Sequence, residues 1–302
     1  MITLTPENYP LKIVERFIGN LFTNINGFAT GQLKITGKGS NAKYVGKAKL
    51  HDAGLKVIFT ECYYKIQDTE IEFTENALNL GTLKLIDTIT NHSATLTSGI
   101  IKHDSWKNME FDIRANVDNL PMQLLNTTAK DNVSFYGNAK GTGSFSLTGP
   151  QSNMIMKMTG RASDIDSSYI TIPNTSSRET GIADFLIERK YGREMTDSSF
   201  QNKTTDITYD IDITGNPMVT VRVVLDELTN DEIRGRGDGN LRILSGTTEP
   251  LSIRGRYNIN EGNYRFTFQS FFKKPFELKR DRNNYIEWNG DPYHPVVNID
   301  AV

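Results

Sequence analysis

The sequence predicts an all-β fold, a long thin sheet of antiparallel strands with one apolar face. Three observations carry that prediction. Apolar and polar residues alternate along most of the chain, Gly and Pro punctuate the alternating runs, and only 37% of the 302 residues are hydrophobic. Period-two alternation sends successive side chains to opposite faces, which is the pattern of a half-buried strand. A compact globule of this length would hide roughly three quarters of its surface and would need more apolar residues.

The elements follow in order. Residues 1–30 form an N-terminal segment. Within it, Ile13, Val14, Phe17, Ile18 and Leu21 fall near helical spacing and predict a short helix inside 6–22. Strands fill 31–173. Leu33 and Ile35 mark the first, then Ala48 and Leu50, then Leu55, Val57 and Phe59, then Ile71 and Phe73. Leu78 with Leu80 and Leu83 with Leu85 mark two more. Further runs occupy 94–100, 109–115, 132–136, 144–147, 154–158 and 170–172. The pattern breaks at 119–125, which predicts a single helical turn. Alternation stops over 174–205, a Ser-, Thr- and charge-rich stretch read as a polar insertion or hinge with a short helix over 182–189. Strands resume over 206–302, with runs at 207–213 and 218–225. Leu241 with Ile243, Tyr257 with Ile259, and Tyr264, Phe266 and Phe268 then alternate with polar residues. Turns are expected at Gly246, Pro250, Gly255, Gly262, Gly290, Pro292 and Pro295, where Gly and Pro suit the backbone.

The chain repeats itself. Gly31-x-Leu33-x-Ile35 precedes Gly46-Lys-Ala48-Lys-Leu50 and Gly54, and Gly239-x-Leu241-x-Ile243 precedes Gly255-Arg-Tyr257-Asn-Ile259 and Gly262. Glu70-Ile71-Glu72-Phe73 matches Tyr285-Ile286-Glu287-Trp288. A degenerate third copy starts at Gly143-x-Phe145-x-Leu147, with Gly160-Arg-Ala162 after it. A repeated strand-turn unit implies growth along one axis.

Charge and motifs exclude several functions. With 34 basic and 36 acidic residues there is no basic stripe, so nucleic acid is not expected. No run of about 20 apolar residues exists to span a membrane as a helix, and 1–10 lacks the features of a signal peptide. The four histidines, His51, His92, His103 and His294, lie far apart and outside any metal-spacing motif. Asp164 with Asp166 and Asp210 with Asp212 read as the solvated face of strands rather than as acid–base pairs. Gly141-x-Gly143 leads into a strand, so it cannot cradle phosphate at a helix N-terminus. Arg236-Gly237-Asp238 reads as a turn. Cys62 beside Tyr63 and Tyr64 reads as a packed thiol. Met154, Met156 and Met158 share one strand face. Phe268, Phe271, Phe272 and Phe276 with Lys273 and Lys274 form the densest aromatic cluster, a core corner or an interfacial patch. No catalytic residue, cofactor or metal is expected.

The stretch 239–302 carries a resemblance. Gly-x-Leu-x-Ile, then Gly255-Arg-Tyr-x-Ile-x-x-Gly-x-Tyr264, then Tyr285-Ile-Glu-Trp-Asn-Gly-Asp-Pro292 and Pro295-Val-Val-Asn-Ile-Asp-Ala301 are similar to the TamB C-terminal domain of the AsmA-like bridging proteins. A weaker likeness, through the repeats and Phe135-Tyr-Gly-x-Ala-x-Gly-x-Gly143, covers 31–302. The resemblance implies a sheet bent lengthwise into an open apolar trough, the β-taco, in two parts flanking the insertion. It implies a non-enzymatic role. Such proteins are anchored in the inner membrane of Gram-negative bacteria and cross the periplasm. They move phospholipid between membranes or support outer-membrane protein assembly with an Omp85-type, TamA-like barrel. It further implies that this chain is a piece of a longer protein, with a membrane anchor outside it.

On that reading the trough is lined by Leu33, Ile35, Leu50, Val57, Phe73, Phe111, Met156, Ile211, Leu241, Ile243, Tyr257, Ile259, Phe266 and Trp288, and phospholipid acyl chains are its guests. A β-solenoid adhesin or carbohydrate-binding module is the alternative, with a filled interior and ligands on the outer face. A hydrolase using carboxylate pairs ranks last.

Overall fold

The structure is a computed structural model. It describes residues 2–302 except 20, 38–41, 106, 133–134, 175–205, 227–228, 230 and 269–271, with backbone alone at 17, 267–268 and 272–273.

The fold is all-β. The chain opens with β1 (Ile2–Leu4) and β2 (Tyr9–Pro10), a 3-10 turn at Leu11–Val14 and a short helix α1 (Glu15–Ile18). The strands β3 (Phe22–Thr36), β4 (Lys43–Val57), β5 (Cys62–Ile66), β6 (Thr69–Phe73), β7 (Ala77–Asn79), β8 (Lys84–Asp87), β9 (Ser93–Asp104) and β10 (Lys107–Val117) follow. Then come β11 (Met122–Thr127), β12 (Tyr136–Pro150), β13 (Asn153–Ala162), β14 (Ser168–Ile172), β15 (Asp206–Asp226), β16 (Asp231–Gly246), β17 (Ser252–Phe268), β18 (Phe272–Glu277), β19 (Tyr285–Gly290) and β20 (Val296–Asn298).

The chain divides into two compact units. The first comprises Met1–Met122, Ser144–Lys157 and Asn202–Ile207; the second comprises Gln123–Gly143, Met158–Gln201 and Thr208–Val302. In the first, β3 pairs antiparallel with β4, β4 with both β5 and β6, β6 with β7, β7 and β8 with β9, and β9 with β10. In the second, β15, β16 and β17 pair antiparallel in order, and β17 pairs with β18 along one half and β19 along the other. The β14–β15 pair is parallel.

Bulges make strands longer than their alternating runs. The runs at 48–50 and 55–57 are one strand, β4. Its ladder with β3 shifts register between Asn26 and Phe28, near Asp52, whose φ is 48°. An extra residue switches the parity of the strand, so Gly46, Ala48 and Leu50 before it share a face with Leu55 and Val57 after it. The runs at 207–213 and 218–225 are likewise one strand, β15, with a register shift between Gly215 and Val219.

Four expectations are corrected. The break at 119–125 holds no helical turn; β11 begins at Met122, directly after Pro121. Asn132 and Phe135 lie outside any strand, Phe135 N–H donates to Asn132 Oδ1 at 3.3 Å, and strand begins only at Tyr136. Arg236-Gly237-Asp238 lies inside β16, and Gly255 and Gly262 lie inside β17 rather than at turns. In each case the glycine answers to close backbone approach. A Cβ at Gly237, Gly255 or Gly262 would come within 1.7, 2.1 or 2.3 Å of the carbonyl oxygen of Asn258, Asn240 or Arg234. The predicted insertion with its helix over 182–189 lies outside the described residues, apart from Asn174, whose side-chain amide donates to the Leu225 carbonyl.

Candidate functional site: the apolar sheet face

In the first unit one apolar row crosses eight strands. Leu4 pairs with Leu33, Leu33 with Gly46, Gly46 with Phe73, Phe73 with Leu78, Leu78 with Ile101, Ile101 with Phe111 and Phe111 with Gly149. Paired residues share a face, so these side chains lie side by side. Gly31, Ala48 and Ile71 form the next row, and Ala29 and Leu50 the one after. Ala48, Leu50, Ala53, Ile71, Leu83, Leu96 and Ala115 are buried in one cluster, with Phe73, Leu78, Ile113 and Phe145 packed on it. A sheet buries one face only against another layer or against itself. Most of this cluster comes from the same face of neighbouring strands, and Leu11 of the 3-10 turn packs on it. At the β1 margin the face stays open, with Ile2 61% and Leu4 46% exposed.

The second unit repeats the arrangement. Gly239 pairs with Tyr257 as Gly31 pairs with Ala48, and Leu241 with Gly255 as Leu33 with Gly46. Gly255 pairs with Trp288 as Gly46 with Phe73, and Tyr257 with Ile286 as Ala48 with Ile71. Even the backbone matches, since Gly46 and Gly255 both take positive φ, 154° and 126°. Strands β3, β4 and β6 are therefore one copy of the sequence repeat and β16, β17 and β19 the other. In this second copy large side chains fill the face. Trp288, Ile286, Ile253 and Tyr257 are at most 2% exposed, and Gly235 leaves room for Ile259, whose Cγ2 would lie 2.4 Å from a Cβ there.

The opposite face is charged. Lys47 bonds Glu70 at 2.8 Å in the first unit. In the second, Arg242 forks onto both oxygens of Asp210 at 2.9 and 3.0 Å, so Asp210 is committed to an ion pair. Glu232, 5% exposed, lies against Arg222 and Arg265. Cys62 is buried, and desolvation pushes its thiol up to about 11. His51 faces Asp68, His92 the Pro121 carbonyl and His294 Asp291. Among the described residues no three His, Cys, Asp or Glu side chains are grouped to hold a metal ion.

The residues expected to line a trough divide between the units. Leu33, Ile35, Leu50, Val57, Phe73, Phe111 and Met156 belong to the first. Leu33, Phe73 and Phe111 share the long row, Leu50 lies in the buried cluster, and Val57 pairs with buried Cys62. Ile211, Leu241, Ile243, Tyr257, Ile259, Phe266 and Trp288 belong to the second, where Ile211 pairs with Ile243. Leu33, Ile35, Val57, Phe73 and Leu241 are half-buried, and Phe266 is 36% exposed, with its ring 6.0 Å from Tyr264. Tyr264 in turn stacks on Phe276 at 6.4 Å; Phe271 lies outside the described residues, as do the side chains of Phe268, Phe272 and Lys273. Gly290 ends β19 at φ 125°, and Pro292 and Pro295 lie between β19 and β20, where the Pro292 carbonyl accepts the Trp288 indole N–H at 3.2 Å. Sequence reasoning missed Leu4, which continues the long row, and Ile2, which pairs with Ile35 beside it. Their alternation was visible, but a three-residue strand gives too few positions to read a period.

An all-β module with one apolar and one charged sheet face is the class these features define. No helix among the described residues is long and apolar enough to cross a membrane. The family model for the TamB C-terminal domain matches residues 83–302, and the chain belongs to that family. The stretch 239–302, where the resemblance is strongest, lies inside the match. Neither the curated proteins nor the solved structures yielded a match. TamB proteins are non-enzymatic bridging and translocation modules of the bacterial envelope that associate with TamA-type outer-membrane partners.

Proposed function

We propose that this chain works in the periplasm as part of an inner-membrane-anchored protein, and that its apolar sheet face carries phospholipid acyl chains between membranes. The observation that carries this reading is the row from Leu4 to Phe111, apolar or glycine at every strand and exposed at its β1 end. Each buried CH₂ is worth about 0.8 kcal/mol, so a 16-carbon chain gains roughly 10 kcal/mol before entropy. Successive strands offer similar apolar surface, so neighbouring positions along the face bind nearly equally well, which favours sliding over trapping. Support for outer-membrane protein assembly fits the same family. There β20, whose three residues are all exposed, is the strand proposed to meet a TamA-like barrel by strand addition.

A photo-crosslinking amino acid placed at Leu33, Ile35 or Leu241, and as a control at Lys34 or Arg242 on the other face, tests the lipid reading in cells. Phospholipid attached at the first three and absent from the controls is the expected result. Equal capture on both faces, or none on either while the protein is folded, overturns it.

A further inference from the structure

We propose that the polar face of the second unit binds a neutral oligosaccharide in a depression lined by Thr214, Asp238, Asn240, Arg256 and Asn258. The depression originates in the β15 bulge. Gly215 pairs with Gly239 and Val219 with Gly237, so Asp238, between those two glycines of β16, has no partner on β15. Residues 216–218 swing away instead. Asn216 Nδ2 holds them there, donating to the carbonyls of Ala162 and Ser163 at 3.1 Å each and to the Asp164 carboxylate at 2.9 Å. What remains is a cavity of about 370 Å³ bounded by the side chains above and by the backbones of Gly215 and Gly239. That volume lies at the small end of ligand sites, which start near roughly 300 Å³.

The walls are ordered before any ligand arrives. Thr214 Oγ1 donates to Asn240 Oδ1 at 2.9 Å. Arg256 donates to Asn258 Oδ1 at 3.2 Å and Asn283 Oδ1 at 3.1 Å, and its guanidinium lies 3.5 Å from the centre of the Tyr285 ring. Asp238 is the unspent group. Its two neighbours, Asn258 Nδ2 and Asn260 Nδ2, stand 3.5 and 3.4 Å away, at the limit of hydrogen bonding. Its carboxylate therefore keeps acceptor capacity facing the cavity.

The donor set selects the ligand class. One carboxylate and one guanidinium cancel, so a free anion meets Asp238 and a free cation meets Arg256. The rest are amides and a hydroxyl, which both donate and accept. Vicinal sugar hydroxyls do the same, and an aspartate accepting two of them beside amide and guanidinium donors satisfies every group. Such fixed polar sites discriminate because a ligand lacking one hydroxyl leaves a wall atom unpaired. The site lies on the face opposite Tyr257 and Ile259 and is independent of the lipid reading.

The whole chain, screened against an array of neutral and anionic glycans, followed by calorimetric titration of each hit, of inorganic phosphate and of calcium chloride, tests the site. A neutral glycan binding with Kd at or below about 1 mM, weakened about tenfold or more by Asp238→Ala and by Thr214→Val, is expected. Both residues are exposed, so circular dichroism should show both variants folded. Lys34→Ala, exposed in the first unit, should leave the affinity unchanged. Binding of phosphate or calcium alone, binding untouched by Asp238→Ala, or silence from every neutral glycan overturns the proposal.

Discussion

The Tyr257 hydroxyl donates to the main-chain carbonyl of Val219 at 2.8 Å, reaching from β17 across β16 to β15. The Gly237 carbonyl shares the same proton at 3.0 Å. Both carbonyls lie at the β15 bulge, where the phenol ties β17 to β15 and β16. Tyr257 is 2% exposed, and burial holds its hydroxyl well above the usual phenol range. Tyr257→Phe removes the donor and leaves both carbonyls short, which should cost about 1–3 kcal/mol. A lowered melting temperature with unchanged far-ultraviolet circular dichroism checks this.

The same burial sets an alkaline limit. Desolvation raises the phenols of Tyr64, Tyr209 and Tyr257. Above pH of about 10 the unfolded chain releases these protons while the folded chain keeps them, so the native state binds more protons and stability falls as pH rises. Below that pH both states hold the protons and the effect vanishes. Each phenol contributes a slope of about 1.4 kcal/mol per pH unit until its folded value is reached. Melting temperatures from pH 8 to 11.5 should be level and then drop, and Tyr257→Phe should drop less steeply.

Glycine substitutions should separate by geometry. Gly255 has φ 126°, and its Cβ would lie 2.1 Å from the Asn240 oxygen, a backbone atom that cannot yield. Gly46 has the same role opposite Leu33, with the Gln32 oxygen 2.0 Å from its Cβ. Gly255→Ala and Gly46→Ala should each destabilise by more than about 1 kcal/mol. Gly160 in β13 has nothing within 4 Å of its Cβ, and Gly160→Ala should be neutral or stabilise by up to about 1 kcal/mol. Urea midpoints for the three variants order them; equal shifts would refute the argument.

These glycines also mark where the sequence was legible and where it was not. Alternation located β3, β9, β10, β16 and β17 because each has one buried and one wet face. The repeat was readable as spacing and proved to be a shared register, Leu33 on Gly46 and Leu241 on Gly255. Its first copy, β3, β4 and β6, precedes the span 83–302 that the family model matches. The role of the glycines was not readable. A Gly between apolar runs looks like a turn whether the chain reverses there or only presses against its neighbour, and only pairing separates the two cases. Bulges hid for a related reason: an inserted residue switches the parity of β4, and residues 216–218 interrupt the alternation of β15, so each reads as two strands. The polar depression was invisible because the space over Asp238 opens only through such a bulge.

Glu232 offers a test of buried charge. It is 5% exposed, with Arg222 Nε at 2.6 Å from one oxygen and Arg265 at 3.2 Å from the other. Both arginines still reach water, so losing either partner differs from losing the carboxylate. Glu232→Gln keeps the shape but deprives two cations of their anion, and should cost about 1–3 kcal/mol. Arg265→Ala should cost less, about 1 kcal/mol or under, because its half-exposed pair is screened and Arg222 remains. A double-mutant cycle should show clear coupling between the two changes. Additive losses would mean that the pair contributes nothing beyond packing.

Cys62 can report whether the apolar face of the first unit opens. Its Sγ–H donates to the Thr60 carbonyl at 3.4 Å, it is 3% exposed, and it pairs with Val57 on that face. With its thiol pushed up to about 11, roughly one molecule in a thousand carries a thiolate at pH 8, and burial shields even that one. Native protein should therefore react with iodoacetamide far more slowly than urea-unfolded protein, which should take up one equivalent. Any labelling of native protein has to pass through an opening of the sheet around β4 and β5. If acyl chains lodge against this face, phospholipid vesicles should change the labelling rate while leaving the global melting temperature nearly constant. A rate that only follows global unfolding, with or without lipid, would place the guest's path away from β4 and β5.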